Sequence, residues 1–175
     1  MIQEQISFVG EGISASCQID ETLLGKSRKY NRGKAYAQTW LFGISQASEH
    51  KCCIIPVARR DEKTLMGLIK KHISTESKMK IISDGWAAYS KLEAAGYTHS
   101  VVIHKEEFKN KAGDTTNSIE SVWSQLKTWV ARMHGLDKHH LEEYISEFTF
   151  RYNFCGSSTG NCINQFLQLL GKKLT

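Results

Sequence analysis

Apolar and polar residues alternate with a period of two near the start of the chain. Over residues 13–19 every second residue is apolar, which predicts a strand with one buried face that ends at Asp20. Two further β-rich runs, residues 37–44 and 52–57, lie on either side of a polar, turn-like stretch and predict a hairpin beside that strand. Because proline has no backbone N–H, Pro56 indicates that the second run lies at the edge of the sheet.

The middle of the chain alternates between helical and extended patterns. Asp61 is a typical N-cap, and the apolar residues after it recur at helical spacing, which predicts a helix packed on the sheet. Residues 79–83 then predict a fourth strand that ends at Asp84. A second helix that stops at Gly96 and a strand over residues 99–104 are expected to follow.

The last third of the chain has the apolar period of amphipathic helices. One long helix is predicted over residues 117–135, a second over residues 138–154 and a last one over residues 161–170. The full order, β-β-β-α-β-α-β-α-α-α, predicts an α/β domain in which a mixed sheet is flanked by helices.

Composition is that of an ordinary globular domain. The 175 residues are 41% hydrophobic and 23% charged, so we expect one compact domain over residues 1–175 and no disordered or fibrous chain. The net charge of +5 is compatible with an anionic partner but does not demonstrate one. No apolar run approaches the ~20 residues that span a bilayer, and the first residues lack the pattern of a signal peptide. We therefore expect an intracellular protein without a membrane partner.

The five cysteines follow no recognisable metal-binding pattern. Cys52 and Cys53 are adjacent, the other three are scattered, and no C-x-x-C spacing occurs. The sequence therefore predicts neither a zinc site nor a disulfide framework, and reduced thiols are expected.

Three carboxylates stand at the ends of predicted elements. Asp20 closes the first strand, Asp84 closes the fourth, and Glu120 lies in the first turn of the long helix. Phosphoryl transfer at a phosphodiester uses two cations about 4 Å apart, and hard divalent cations prefer oxygen ligands. Three acids suffice for a site that holds two Mg²⁺ or Mn²⁺ ions, with one acid bridging both ions.

Polar residues of the long helix extend this candidate site. Lys127 follows Glu120 by two helical turns and so returns to nearly the same face, where it can hold a phosphate. Asn117 shares that polar flank. Plainer interpretations remain for each residue: Asn117-x-x-Glu120 reads as a capping box, the two aspartates can open turns, and Lys127 can be an ordinary solvated lysine.

A basic segment precedes the predicted hairpin. It is polar and glycine-punctuated and is either a solvated edge or a track for DNA phosphates, through Lys26, Arg28, Lys29, Arg32 and Lys34. His104 is a candidate for metal ligation or phosphate contact, although a histidine that ends a strand is more often a packing or hydrogen-bonding residue. The tryptophans are interpreted first as packing residues.

Five strings, taken together and in order, resemble one family. They are IDET at 19–22, SDGWAAY at 83–89, GYTHSVVIHKEEF at 96–108, TNSIESVWSQLK at 116–127 and EFTFRYN at 147–153. The sequence resembles the Merlin superfamily of DDE transposases and their bacterial insertion-sequence relatives with an ISXO-like catalytic domain. The resemblance extends over residues 8–153.

The resemblance implies an RNase H-like fold and a cut-and-paste DNA transposase. It implies that Asp20, Asp84 and Glu120 bind the metal ions, and that Asn117 and Lys127 are active-site accessories. Thr115 departs from the family, which commonly has histidine ahead of the threonine-asparagine pair. The N-terminal DNA-binding region usual in such transposases is not expected within this chain.

The implied reaction is hydrolysis at a transposon end, followed by attack of the freed 3′-hydroxyl on target DNA. The expected partners are therefore transposon ends and target DNA, with a homodimer or higher oligomer, in the nucleus of a eukaryote or the cytoplasm of a bacterium. Two alternatives stay open: an RNase H-like nuclease, and a domesticated, non-catalytic DNA-binding protein derived from a transposase.

Overall fold

A five-stranded mixed sheet forms the centre of the molecule. The computed structural model describes residues 15–25, 38–103, 113–133 and 137–155. The strand order is β3-β2-β1-β4-β5. The strands are β1 Ser16–Leu24, β2 Thr39–Gln46, β3 Lys51–Val57, β4 Lys80–Ser83 and β5 Thr98–Val101. The pairs β1–β2 and β2–β3 are antiparallel, whereas β1–β4 and β4–β5 are parallel. The predicted α/β class and mixed sheet are confirmed.

The central strand β1 is longer than the sequence pattern predicted. Alternation places Cys17 and Ile19 in one core and Leu24 in the other. The strand continues beyond Asp20, which pairs with Gly43 of β2, so the prediction that Asp20 closes the strand is wrong. The alternation was interrupted by the acidic pair at Asp20 and Glu21, which hid the second half of the strand.

Helices cover both faces of the sheet. Helix α1, Glu62–His72, begins as predicted at Asp61, whose carboxylate accepts from Thr64 N at 2.9 Å. It packs on one face in a core that includes Ile19, Phe42, Ile44, Leu65 and Ile69. Helices α2, Asn117–Arg132, and α3, Leu141–Phe150, pack on the other face, in a core that includes Leu41, Ile54, Ile119, Leu126 and Ile145.

The helix predicted after Asp84 is replaced by short turns. Asp84 Oδ1 accepts from Trp86 N at 3.0 Å, which holds Trp86 extended, so only a 3₁₀ turn, Ala87–Tyr89, follows. The predicted second long helix is also divided, because α3 ends at Phe150 and continues as a π-helical turn, Arg151–Cys155. The helix predicted over residues 161–170 lies outside the described residues.

The edge position of β3 and part of the cysteine prediction are confirmed. Pro56 lies in β3, which is an outer strand. Cys17, Cys52 and Cys53 are buried free thiols, but Cys155 forms a disulfide bond, so the expectation of reduced thiols throughout is wrong. In the described parts of the chain, no helix is both long and apolar enough to cross a membrane.

Candidate active site

Asp20 lies half-buried on the central strand. Its Oδ2 accepts a hydrogen bond from the indole Nε1 of Trp123 at 2.9 Å. Burial raises the pKa of Asp20 to about 6, the hydrogen bond from Trp123 works against this rise, and the charges of Asp84 and Glu120 add to it. This carboxylate therefore stands in the electric field of both other acids of the predicted triad.

Asp84 follows the parallel neighbour of β1 directly. The last pair of aligned residues between these two parallel strands is Gln18 with Ile82. Asp20 and Asp84 each follow that pair by two residues in the chain. Adjacent strands are about 4.8 Å apart, so this shared register brings the two aspartates to the same level of the sheet, just beyond the end of the β1–β4 pairing. Asp84 also opens the turn to Trp86, as the plainer interpretation predicted, because one of its carboxylate oxygens accepts the hydrogen bond from Trp86 N.

Glu120 lies in the first turn of α2 and is exposed. The N-cap of the helix is Thr116, whose Oγ1 donates to Glu120 Oε1 at 3.0 Å. Asn117 is already the first helical residue, so a capping box with Asn117 as the N-cap is wrong. The side chain of Gln18 supplies the missing cap instead, because its Oε1 accepts from Ile119 N at 3.0 Å.

Hydrogen bonds fix the start of α2 against the sheet. Besides the contact of Gln18 on β1, the hydroxyls of Ser45 on β2 and Ser118 on α2 are 2.7 Å apart. The segment before the helix is held by Asp114, which accepts from Lys80 Nζ at 2.5 Å and from Ser100 Oγ at 2.7 Å. These contacts place the first turn of α2, with Glu120, near the strand that carries Asp20.

Asp84 and Glu120 both contribute to the raised pKa of Asp20, but the three acids do not form a cluster that is ready to hold a metal ion. Across residues 15–25, 38–103, 113–133 and 137–155, no group of three or more His, Cys, Asp or Glu side chains is close enough together to hold a metal ion. The chemistry of the donor set does fit a divalent cation, since carboxylate oxygens are hard ligands and a cation would relieve the repulsion that acts on Asp20.

The other predicted site residues have different outcomes. Asn117 and Lys127 both lie on α2 with exposed side chains. The predicted DNA-contacting residues lie outside the described residues: Lys26, Arg28, Lys29, Arg32, Lys34 and His104. Their proposed roles therefore stay predictions.

Sequence reasoning missed a polar cluster on the opposite face of β1. Glu21 accepts a hydrogen bond from the Tyr89 hydroxyl, and Arg60 Nη1 lies 4.0 Å from Glu21 Oε2. The Arg60 guanidinium is 3.5 Å from the ring centroid of Trp40 and 5.2 Å from that of Trp86. Burial raises the pKa of Glu21 to about 7, with a further rise from the charges of Asp20 and Asp84. The sequence did contain a signal for this cluster, because Glu21 occupies a position that the alternation of β1 assigns to a buried face.

Comparison with solved structures defines the fold of the chain. The catalytic core domain of BIV integrase matches with a TM-score of 0.55 and 14% identity, over 93% of this chain and 99% of that one. The simian T-cell lymphotropic virus intasome in complex with a PP2A regulatory subunit matches with a TM-score of 0.52 and 12% identity, over 83% of this chain and 51% of that one. The chain therefore has the RNase H-like fold of retroviral integrase cores.

The family follows from the sequence. The model of the ISXO2-like transposase domain matches residues 13–153, and the chain belongs to this family. A transposase-like protein of Haemophilus influenzae is 24% identical over 105 residues, which are 59% of this chain and 83% of that protein. The expectation of an insertion-sequence transposase family is confirmed at this level.

Proposed function

We propose that the chain is the catalytic domain of a Merlin-type, cut-and-paste DNA transposase that hydrolyses phosphodiesters at transposon ends and transfers the freed strands to target DNA. The observation that carries the proposal is the placement of three acids, Asp20 on β1, Asp84 directly after β4 and Glu120 in the first turn of α2. The charges of Asp84 and Glu120 contribute to the raised pKa of Asp20. Membership of the ISXO2-like transposase family supports it.

In this proposal Asp20, Asp84 and Glu120 hold two Mg²⁺ or Mn²⁺ ions. Bound ions would activate the attacking oxygen and stabilise the leaving oxygen. Because the described acids do not form a ready metal cluster, binding requires carboxylate side chains to move toward one another. The side chain of Glu120 is exposed, and a bound ion would replace one of its contacts, the hydrogen bond from the Thr116 hydroxyl.

The exposed side chains of α2 have accessory roles in the proposal. Lys127 contacts a DNA phosphate, and Asn117, the first residue of α2, is an accessory residue of the site. The basic segment that carries Lys26, Arg28, Lys29, Arg32 and Lys34, together with His104, follows the DNA backbone. Synapsis of two transposon ends requires two active sites, so the working assembly is a homodimer or a higher oligomer.

The direct test is cleavage of duplex DNA that carries the ends of the element encoding this chain. With Mg²⁺ or Mn²⁺ present, wild type should cleave at the ends and join the 3′ ends to a target plasmid. Asp84→Asn should lose both activities, and Glu142→Gln, which alters an exposed acid of α3, should retain them. Equal cleavage by wild type and Asp84→Asn would overturn the site assignment.

Two other outcomes would replace the proposal. Cleavage without joining of 3′ ends would identify an RNase H-like nuclease. Absence of cleavage together with absence of Mg²⁺-dependent stabilisation would identify a non-catalytic, DNA-binding descendant of a transposase, because a ligand of the native state must raise its stability.

A further inference from the structure

Trp123 links the strand that carries Asp20 to the helix that carries Glu120. Its indole Nε1 donates to Asp20 Oδ2 at 2.9 Å, and the side chain is 5% exposed. It follows Glu120 by three residues, so the two side chains are neighbours on α2. One buried side chain therefore contacts one acid of the candidate site directly and shares a helical turn with another.

Gly43 provides the space for this indole. It lies on β2 directly opposite Asp20 in the strand register. A Cβ atom at Gly43 would be 2.4 Å from Cη2 and 2.5 Å from Cζ2 of Trp123, which is closer than real Cβ contacts come. The six-membered ring therefore rests on the bare backbone of β2, and this placement aims the indole N–H at the neighbouring strand. Any larger residue at Gly43 would displace the donor.

We propose that Trp123 is a positioning residue for divalent-cation binding, which orients the Asp20 carboxylate relative to Glu120 on the platform that Gly43 provides. The inference rests on the proposed function of the three acids. A hydrogen bond to Oδ2 restricts rotation of the carboxylate and so fixes the direction in which Oδ1 points. Loss of such a supporting hydrogen bond typically weakens metal affinity by about 10–100-fold.

Trp129 supplies a matched control on the same helix. It packs through its ring against Tyr144 and Phe148 of α3, with centroids 6.4 and 5.8 Å away. Replacement of either tryptophan by phenylalanine removes the same atoms from the same helix and the same core. Only the replacement at Trp123 removes a donor to Asp20.

The first test is a Mg²⁺ titration followed by thermal unfolding of the full chain. Trp123→Phe should raise the Mg²⁺ concentration that gives half of the stabilisation by about tenfold or more. Trp129→Phe should leave that concentration unchanged, even if it lowers the unfolding temperature in the absence of Mg²⁺ as much as Trp123→Phe does. Equal Mg²⁺ affinity in wild type and Trp123→Phe would reduce Trp123 to a packing residue and overturn the inference.

The second test uses wild type and does not depend on the stability of a variant. The chain has four tryptophans, whose indole N–H groups can be observed separately by nitrogen-edited NMR. Addition of Mg²⁺ should shift the Trp123 indole resonance strongly and leave that of Trp129 in place. Asp20→Asn should shift the Trp123 resonance without Mg²⁺, because the acceptor loses its charge.

The two tests separate the inference from the proposed function. If wild type shows neither Mg²⁺-dependent stabilisation nor a shift of any indole resonance, the proposed metal chemistry is wrong and the positioning role is lost with it. If wild type binds Mg²⁺ but the Trp123 resonance does not respond, only the positioning role is overturned.

Discussion

The side-chain amide of Asn153 forms two hydrogen bonds with the backbone of Cys52, as a residue of a neighbouring strand would. Its Oδ1 accepts from Cys52 N at 2.7 Å, and its Nδ2 donates to Cys52 O at 2.8 Å. Cys52 lies on β3, which is the outer strand of the sheet formed by the described residues, and an outer strand has backbone groups that point away from its sheet. Asn153 therefore ties the π-helical turn after α3 to the edge of the sheet, which gives the RYN string a structural role.

Asn153→Ala should lower the free energy of unfolding by about 1–3 kcal/mol, because two hydrogen bonds to a buried residue are lost. Urea unfolding followed by circular dichroism measures the change. Arg151→Ala is the control, since Arg151 pairs with Glu147 on the exposed side of the same segment and should cost only about 0.3–0.5 kcal/mol. Equal losses in the two variants would contradict the role assigned to Asn153.

Gly43→Ala should destabilise the protein by about 1–3 kcal/mol, because the added Cβ overlaps the Trp123 ring in a closely packed core. Gly67→Ala should do the opposite and stabilise by about 0.5–1 kcal/mol. Gly67 lies within α1 with open space around it, so alanine there improves helix propensity at no steric cost. Thermal unfolding of both variants in EDTA is the measurement, and a neutral Gly43→Ala would contradict the close approach of Trp123.

Glu21→Gln should stabilise the metal-free protein at pH 8 by about 1–2 kcal/mol and have less effect at pH 5. Burial raises the pKa of Glu21 from 4.5 to about 7, so between these values the native state holds a proton that the unfolded chain releases. Wild type should therefore lose stability as pH rises through this window. The variant, which can still accept from Tyr89, should lose less, and the loss that is left comes from Asp20, whose pKa is also raised.

Urea unfolding in EDTA at several pH values measures this trend. Glu62→Gln is the control, because Glu62 is an exposed partner of Lys91 and its replacement should preserve the wild-type pH dependence. A Glu21→Gln variant with the same pH profile as wild type would show that the Glu21 carboxylate is not buried as described.

Binding of Mg²⁺ should weaken as pH falls through about 6. Burial raises the pKa of Asp20 to about 6, so below that value the cation must displace a proton from the carboxyl group. Isothermal titration calorimetry between pH 5 and pH 8 tests this, with an affinity loss approaching tenfold per pH unit below the pKa. Glu21→Gln should show the same pH dependence, and an affinity independent of pH would contradict a role for Asp20 as ligand.

Local patterns in the sequence determined most of the secondary structure. The N-cap at Asp61, the edge position indicated by Pro56 and the apolar stripe of α2 were all predicted, because each depends on residues a few positions apart. The helix expected after Asp84 was not found, because a side-chain hydrogen bond to Trp86 N competes with the helical backbone. That competition leaves no periodic signal.

The candidate site was predictable only in its residue types. Three acids at predicted element boundaries and a family resemblance named Asp20, Asp84 and Glu120. Strand register then brought the two aspartates to the same level of the sheet, just beyond the end of the β1–β4 pairing. The sequence interpreted Trp123 as a packing residue, and nothing local indicated that its N–H reaches Asp20, 103 residues away in the chain. The polar cluster of Glu21, Arg60 and Tyr89 was missed because its members also lie far apart in the chain.

The sequence by itself determined most of the elements, the α/β class and the family, since periodicity and ordered motifs are properties of neighbouring residues. Tertiary structure alone decided that β1 runs on past Asp20, that Gln18 rather than Asn117 caps α2, and that the bare backbone of Gly43 admits the Trp123 indole. These features join residues far apart in the chain, and their energies come from burial and hydrogen-bond direction, which exist only once strands and helices have packed.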